Sequence, residues 1–187
     1  MKSFNRVLFL GLLVVGLLTP SYAMGQLFFF GHPLEGQTAP DFTLMTLSGE
    51  SVNMTDYRAG RPALIFFWAT WCPHCRAQLK ELHAQTAALE QQGIKVLVVD
   101  LQEDAAHIRR YLKQNKMDLN VFLDAEASVA DAYSIVGIPT FFLLDAQGTI
   151  VAVENILPDQ VQTILREAKE DVMPVGQSDP ETAGVNR

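Results

Sequence analysis

The chain contains two cysteines, and both lie in the pentapeptide Trp71-Cys72-Pro73-His74-Cys75. Two residues three positions apart at the start of a helix face the same side, so the two sulfurs are expected to lie at disulfide distance. A dithiol and a disulfide can then interconvert with little movement of the backbone. The spacing therefore predicts a redox-active cysteine pair.

The flanking sequence predicts how this pair is positioned. An apolar run, Leu64 to Trp68, indicates a buried strand, and a long helical pattern follows the cysteines. Cys72 then falls at the helix N-cap, and Pro73 takes the first helical position, where its missing N–H removes no hydrogen bond. The free backbone N–H groups of His74 and Cys75, the helix dipole and a protonated His74 all favour a thiolate at Cys72.

These positions assign the roles. We expect Cys72 to be the nucleophile, with Pro73 and His74 tuning its thiolate. Cys75 lies one turn into the helix, on the side that faces the core, and is the expected resolving thiol.

Other uses of a cysteine pair fit this sequence less well. A structural disulfide that closes so short a loop would constrain the unfolded chain little. A zinc site needs about four ligands, and there is no second cysteine pair. Covalent haem attachment needs a histidine directly after the second cysteine, where this chain has Arg76. We therefore expect no metal, and no cofactor beyond the redox-active disulfide Cys72-Cys75.

The N-terminus has the pattern of an export signal. The basic residues Lys2 and Arg6 precede the apolar stretch Val7 to Leu18, and Ser21-Tyr22-Ala23 offers small residues for cleavage. Residues 1-23 are thus predicted to be a signal peptide. The alternative is an uncleaved membrane anchor, because Met24 to Gly31 extends the apolar character. Either prediction places the domain outside the cytoplasm, in the periplasm or on the outer face of the membrane, where disulfides persist.

Chain length and net charge limit the number of domains and the kinds of partner. A chain of 187 residues is enough for one domain with a sizeable core, and a formal net charge of -7 makes it a poor match for nucleic acid. We expect a linker over residues 24-36, a folded domain over 37-170, and a disordered tail over 171-187 that is punctuated by proline and glycine.

Within the domain, hydrophobic periodicity predicts alternating strands and helices. Strand, helix, strand and helix in succession indicate parallel strands with helices on both faces of the sheet. The predicted elements are a β-hairpin over 42-54 with its turn at Gly49, a helical turn over 55-57, strands over 63-68, 94-99 and 121-123, helices over 73-92, 104-116, 127-133 and 158-169, and a second hairpin over 140-153.

Acids and histidines outside the cysteine motif are also candidates. Asp100 and Glu103 follow the second buried strand, at the same edge of the sheet as the cysteine loop, so either could accept a proton in the reaction. For each of them the simpler interpretation is a solvated loop acid. His32, His83 and His107 are predicted to be surface residues.

Two separated motifs resemble a known family. Phe67 to Cys75, together with Gly137-Ile138-Pro139-Thr140, resembles the thioredoxin superfamily. The Ala39-Pro40-Asp41-Phe42 hairpin, the membrane-proximal start and the segment Asp104 to Leu123 resemble its extracytoplasmic TlpA/ResA branch. The resemblance implies an α/β, thioredoxin-like fold: a central mixed sheet with helices on both faces and an N-terminal β-hairpin extension.

The resemblance also implies roles near the cysteines. Pro139 matches the proline whose preceding peptide bond is cis, and the backbone of Ile138 would then bind a substrate segment in extended pairing. An ordinary strand-entry turn is the alternative for Pro139. Trp71 matches the tryptophan that borders the nucleophile, whereas Trp68 is equally explained as a core residue.

Departures from the family pattern leave the direction of the reaction open. Phe66 stands where thioredoxins have a buried aspartate, and Gln78 stands where some cytochrome-maturation members carry an acid. The TlpA/ResA branch implies a reductase. The dipeptide Pro73-His74 instead resembles that of strongly oxidising periplasmic oxidases.

The leading hypothesis is an extracytoplasmic thiol-disulfide oxidoreductase that reduces protein disulfides, works as a monomer and exchanges electrons with a membrane donor or acceptor. One alternative is a disulfide-donating oxidase that uses the same dithiol. Another is a peroxiredoxin-like peroxidase, because those enzymes share the Ala39-Pro40-Asp41-Phe42 opening, although Ala69 replaces their threonine three residues before the cysteine. The last is a non-catalytic module that binds Cu(I) or chaperones a client.

Overall fold

The computed structural model describes residues 31–172. The predictions for residues 1-23 and for nearly all of the tail lie outside this range. No helix within it is both long and apolar enough to span a membrane. The strands are β1 (Thr43–Thr46), β2 (Ser51–Asn53), β3 (Ala63–Trp68), β4 (Lys95–Leu101), β5 (Val121–Asp124), β6 (Thr140–Leu144) and β7 (Ile150–Glu154), and the helices are α1 (Met54–Arg58), α2 (Pro73–Gln91), α3 (Ala105–Gln114), α4 (Ser128–Ala132) and α5 (Val161–Val172).

The seven strands form one mixed sheet in the order β2-β1-β5-β4-β3-β6-β7. β3 pairs with β4, and β4 with β5, in parallel, whereas the other neighbours are antiparallel. The predicted central mixed sheet is confirmed. The N-terminal hairpin joins the same sheet, because Met45 of β1 pairs with Leu123 of β5.

Strand β3 is buried on both faces, and its alternation divides the core into two layers. Leu64, Phe66 and Trp68 face a layer that α2, α3 and α5 cover. Ala63, Ile65 and Phe67 face the opposite layer, which α1 and α4 cover. Every residue of β3 is buried, as expected for a central strand covered by helices on both sides.

The hairpin of β6 and β7 turns between Leu144 and Ile150, within the range predicted for the second hairpin. Gly148 has φ of +91°, a conformation that glycine adopts at little cost, and a Cβ there would lie 2.8 Å from Nη2 of Arg58. The buried Arg58 donates from Nη1 to the carbonyl of Asp145 at 2.9 Å. The turn is thereby tied to the end of α1.

The last residues of the predicted linker pack on the domain. The backbone N–H of Gly36 donates to the carbonyl of Ile150 at 2.8 Å, and the N–H of Ile150 donates to the carbonyl of Gln37 at 2.9 Å. The His32 ring lies edge-on to Phe142, with ring centroids 5.0 Å apart. His32 is therefore partly buried, and its prediction as a surface residue is wrong, because residues 32–37 dock against β7.

Candidate active site

The cysteine pair lies where β3 leads into α2. Cys72 is the N-cap of α2 with extended backbone angles (φ −88°, ψ 111°), and Pro73 is the first helical residue. The backbone N–H of Cys75 points at the sulfur of Cys72 from 3.2 Å. The two cysteines form a disulfide with their Cα atoms 5.2 Å apart. The local geometry therefore agrees with the prediction from the spacing.

The two sulfurs differ in access to solvent. Cys72 is 6% exposed and Cys75 is fully buried among the apolar residues of the α2 layer. A molecule that approaches the disulfide from outside therefore meets Cys72 first. This asymmetry is what a nucleophilic and a resolving cysteine require.

A loop before β6 lies directly against the cysteines. The Ile138-Pro139 peptide bond is cis, in agreement with the family resemblance. The carbonyl oxygen of Ile138 lies 3.7 Å from the sulfur of Cys72. The hydroxyl of Thr140 donates to the carbonyl of Gly137 at 2.7 Å, which closes the loop on itself. The two motifs that are far apart in the sequence thus meet at one point.

Asn155, which no sequence motif singles out, supports this loop. Its Nδ2 donates to the carbonyl of Pro139 at 2.9 Å. The hairpin register places it there: Phe141 pairs with Glu154, so the residue after β7 lies opposite Thr140, the first residue of β6, which follows Pro139 directly. A polar side chain at that place is well positioned to hold the loop.

Exposed apolar side chains lie on the segments next to the cysteine motif and the cis-proline loop. Trp71 is 66% exposed, and Val136 and Ile156 are exposed as well. A groove of about 200 Å³ beside the disulfide is lined by His74, Ala77, Gln78, Pro139, Asn155 and Ile156. Trp68, in contrast, is fully buried and belongs to the core. Exposed apolar side chains around a reactive bond are suited to bind a polypeptide segment.

The two acids are not solvated loop residues, and that interpretation is wrong for both. β4 extends to Leu101, so Asp100 lies within the strand, opposite Trp68, and is 1% exposed. Neither of its carboxylate oxygens receives a hydrogen bond from a donor in residues 31–168. Burial, and then the neighbouring carboxyl of Glu103, raise the pKa of Asp100 to about 8.

Glu103 binds the backbone just before the cysteines. Its side chain is 11% exposed and accepts hydrogen bonds from both the backbone N–H and the hydroxyl of Thr70. Nε2 of His107 lies 3.0 Å from the same hydroxyl and 3.8 Å from Oε1 of Glu103. His107 is about half exposed, as expected for a surface residue, but it also belongs to this cluster. His83, like His32, is partly buried, so its prediction as a surface residue is also wrong; its Nε2 accepts from the N–H of Asp118 at 3.3 Å.

Fold and site together define a thiol-disulfide oxidoreductase of the thioredoxin superfamily. Residues 35–153 match the AhpC/TSA family, and the chain belongs to that family. The resemblance to the TlpA/ResA branch is also confirmed, because thiol-disulfide oxidoreductases named ResA align with this chain over most of their length.

Two relatives and one solved structure illustrate this similarity. The thiol-disulfide oxidoreductase ResA of Bacillus subtilis is 29% identical over 145 residues, which cover 76% of this chain and 80% of that protein. ResA of Bacillus cereus is 26% identical over 176 residues, covering 91% and 98%. The thioredoxin domain of a thiol-disulfide oxidoreductase from Bacteroides vulgatus has a TM-score of 0.60 at 27% identity, covering 74% of this chain and 98% of that one.

Proposed function

We propose that this protein reduces disulfide bonds of other proteins outside the cytoplasm, with Cys72 as nucleophile and Cys75 as resolving thiol. The observation that carries the proposal is the asymmetry of the pair: a partly accessible sulfur at a helix N-cap and a fully buried partner. The apolar groove and the exposed Trp71 beside the pair suit a polypeptide substrate. The dithiol needs no further cofactor for this chemistry.

The reaction runs through a mixed disulfide. The Cys72 thiolate attacks one substrate sulfur, and the other substrate sulfur leaves as a thiolate. The Cys75 thiol then loses its proton and attacks the Cys72 sulfur, which releases the second substrate thiolate and forms the Cys72-Cys75 disulfide. Two electrons have moved to the substrate. A membrane electron donor must then supply two electrons to reduce the Cys72-Cys75 disulfide before the next turnover.

The surroundings of the two sulfurs favour the reducing direction. Among the hydrogen bonds of residues 31–168, the Cys72 sulfur receives one, from the N–H of Cys75. Cys75 is fully buried among apolar residues, and burial favours its protonated thiol over the thiolate. A pair whose thiolates are weakly stabilised is readily oxidised, and so it is a good reductant.

The direction is tested by the equilibrium reduction potential of the pair. The fluorescence of Trp71 and Trp68 reports the fraction reduced in thiol-disulfide buffers. A value near that of thioredoxin, roughly −270 mV, would support the reductase, whereas one near roughly −120 mV would show that the protein donates disulfides.

The mechanism is tested by trapping the mixed disulfide. The Cys75→Ala variant lacks the resolving thiol, so it should accumulate disulfide-linked complexes with client proteins in cells. The matched control is Cys72→Ala, which should trap none. Equal and negligible trapping by both variants would contradict the proposal.

The location is tested with fusions to a reporter enzyme. We propose that residues 1-23 export the domain, either as a cleaved signal or as an anchor, and that the exported domain is monomeric. A fusion of residues 1–36 to an alkaline phosphatase that is active only when exported should be active. A fusion beginning at residue 37 should be inactive. An inactive first fusion would place the protein in the cytoplasm.

A further inference from the structure

Asp100 is a buried acid that the reaction scheme above does not use. It lies in β4 opposite Trp68 of β3. Side chains alternate along a strand, so Asp100 faces the same layer as Val96 and Val98, and that layer contains Cys75. An ionisable side chain buried among apolar residues is costly to retain without a function.

Asp100 forms a pair with Glu103. The nearby Glu103 carboxyl disfavours ionisation of Asp100, because two like charges close together in a buried site repel each other. Burial and this neighbour raise the pKa of Asp100 to about 8, so the pair holds a proton near neutral pH in the disulfide form. A carboxyl that titrates near the working pH is suited to proton transfer.

Glu103 links this pair to the surface. Its carboxylate accepts from the hydroxyl of Thr70, and that hydroxyl lies 3.0 Å from Nε2 of His107. The His107 side chain is 53% exposed, so the chain of contacts that begins at the buried Asp100 ends in solvent. Thr70 is also two residues before Cys72, and its backbone N–H is fixed by Glu103.

Other titratable groups lie near this cluster. From α2, Nη1 of Arg76 lies 3.4 Å from the carbonyl of Thr70. From α3, the Tyr111 ring packs on Trp68, and burial raises its pKa. Asp124 of β5 belongs to the other side of the sheet, where its carboxylate accepts from the N–H groups of Val129 and Ala130 at the start of α4.

We propose that Asp100 and Glu103 form a proton store for the buried thiol of Cys75, and that Thr70 and His107 connect this store to solvent. The inference rests on the proposed function, and it identifies the group that accepts the proton of Cys75 in the second step of that reaction. As the Cys75 sulfur attacks Cys72, its proton passes to the carboxyl pair, and the substrate sulfur leaves with the electron pair of the broken bond. When a donor reduces the disulfide again, the pair returns a proton to Cys75.

The test separates the two steps with a small aromatic disulfide, dithiobis-nitrobenzoate, whose released thiolate is coloured. Attack by Cys72 on this probe releases one coloured thiolate, and attack by Cys75 on the mixed disulfide releases a second. Stopped-flow absorbance of the reduced full-length protein resolves both releases as a function of pH.

In the Asp100→Asn variant the second release should be at least about tenfold slower at neutral pH, and its pH profile should be displaced, while the first release is unchanged. In His107→Gln the second release should also slow, and added imidazole should restore it. The matched control is Asp104→Asn, which removes the same charge from an exposed position and keeps the cap of α3, and both of its releases should match the wild type.

The outcomes distinguish the inference from the proposed function. If the wild type gives both releases and the pH profiles of the second release coincide for wild type, Asp100→Asn and Glu103→Gln, the proton store is overturned and the dithiol mechanism stands. If the reduced wild type releases no coloured thiolate, the proposed function itself fails. Glu103→Gln is the second variant, for the case in which Asp100→Asn does not fold. It removes a carboxyl of the proton store, but it keeps a side-chain oxygen that can accept from Thr70.

Discussion

The sulfur of Cys72 and the carbonyl oxygen of Ile138 lie 3.7 Å apart, although 66 residues separate them in the sequence. This contact places the cis-proline loop beside the end of the disulfide that solvent can reach. A substrate segment that pairs with the loop backbone would therefore carry its own disulfide to Cys72.

Because Cys72 is the more accessible partner and the N–H of Cys75 points at its sulfur, alkylation should discriminate between the two cysteines. After reduction, iodoacetamide at neutral pH should modify Cys72 at least about tenfold faster than Cys75. Peptide mass spectrometry after brief labelling measures the ratio. Denatured protein, in which both thiols are exposed, is the control and should give a ratio near one.

Asn155→Ala should weaken both the loop and catalysis. The variant loses the hydrogen bond from Nδ2 to the carbonyl of Pro139, which should lower the free energy of unfolding by about 1 kcal/mol and reduce kcat/KM for a protein disulfide. The control is Asn115→Ala. It loses a similar bond, from Nδ2 to the carbonyl of Tyr111 at 2.8 Å, at the end of α3. A drop in kcat/KM of the same size in both variants would show that stability, and not the loop, is responsible.

Trp71→Ala should impair the recognition of polypeptides more than the chemistry of the dithiol. The exposed indole supplies apolar contact area beside the groove, so its loss should raise KM for a protein disulfide several-fold. The reaction with a small aromatic disulfide should keep its rate. Met45→Ala, which truncates an exposed apolar side chain in β1, is the control and should change neither value. Equal losses on both substrates would argue against a recognition role.

Asp100 should make the stability of the oxidised protein depend on pH. Its pKa is about 8 in the folded protein and about 3.8 in the unfolded chain, so the folded state binds the proton more tightly. The free energy of unfolding should therefore fall as the pH rises from about 4 to 8, by at most about 5 kcal/mol from this group.

The Asp100→Asn variant removes this contribution, because its side chain does not titrate. Urea unfolding of the oxidised proteins at several pH values gives the comparison, and subtracting one curve from the other cancels the effects of the other groups. The variant should gain stability relative to the wild type as the pH approaches 8. A constant difference between the two proteins across this range would be the contrary result.

Local signals in the sequence were sufficient for the elements that carry the cysteines. The apolar run Ala63 to Trp68, the proline at the first position of α2 and glycine at the hairpin turns each act over a few residues, so β3, α2 and the second hairpin could be predicted. The cysteine spacing fixed the disulfide geometry for the same reason. The cis bond before Pro139 was predicted from the family resemblance, because the resemblance implies the backbone conformation of the motif as well as its sequence.

Tertiary packing decided what the local sequence leaves undetermined. The carboxyl of Asp100 is buried because β4 continues two residues beyond its apolar run and pairs with β3 on one side and β5 on the other. Glu103 meets Thr70, and Asn155 meets Pro139, only when distant strands are aligned in one sheet. Sequence alone determined the reactive pair and its helix. The pairing of strands then determined its surroundings, because burial and charge at a site depend on which segments lie beside it.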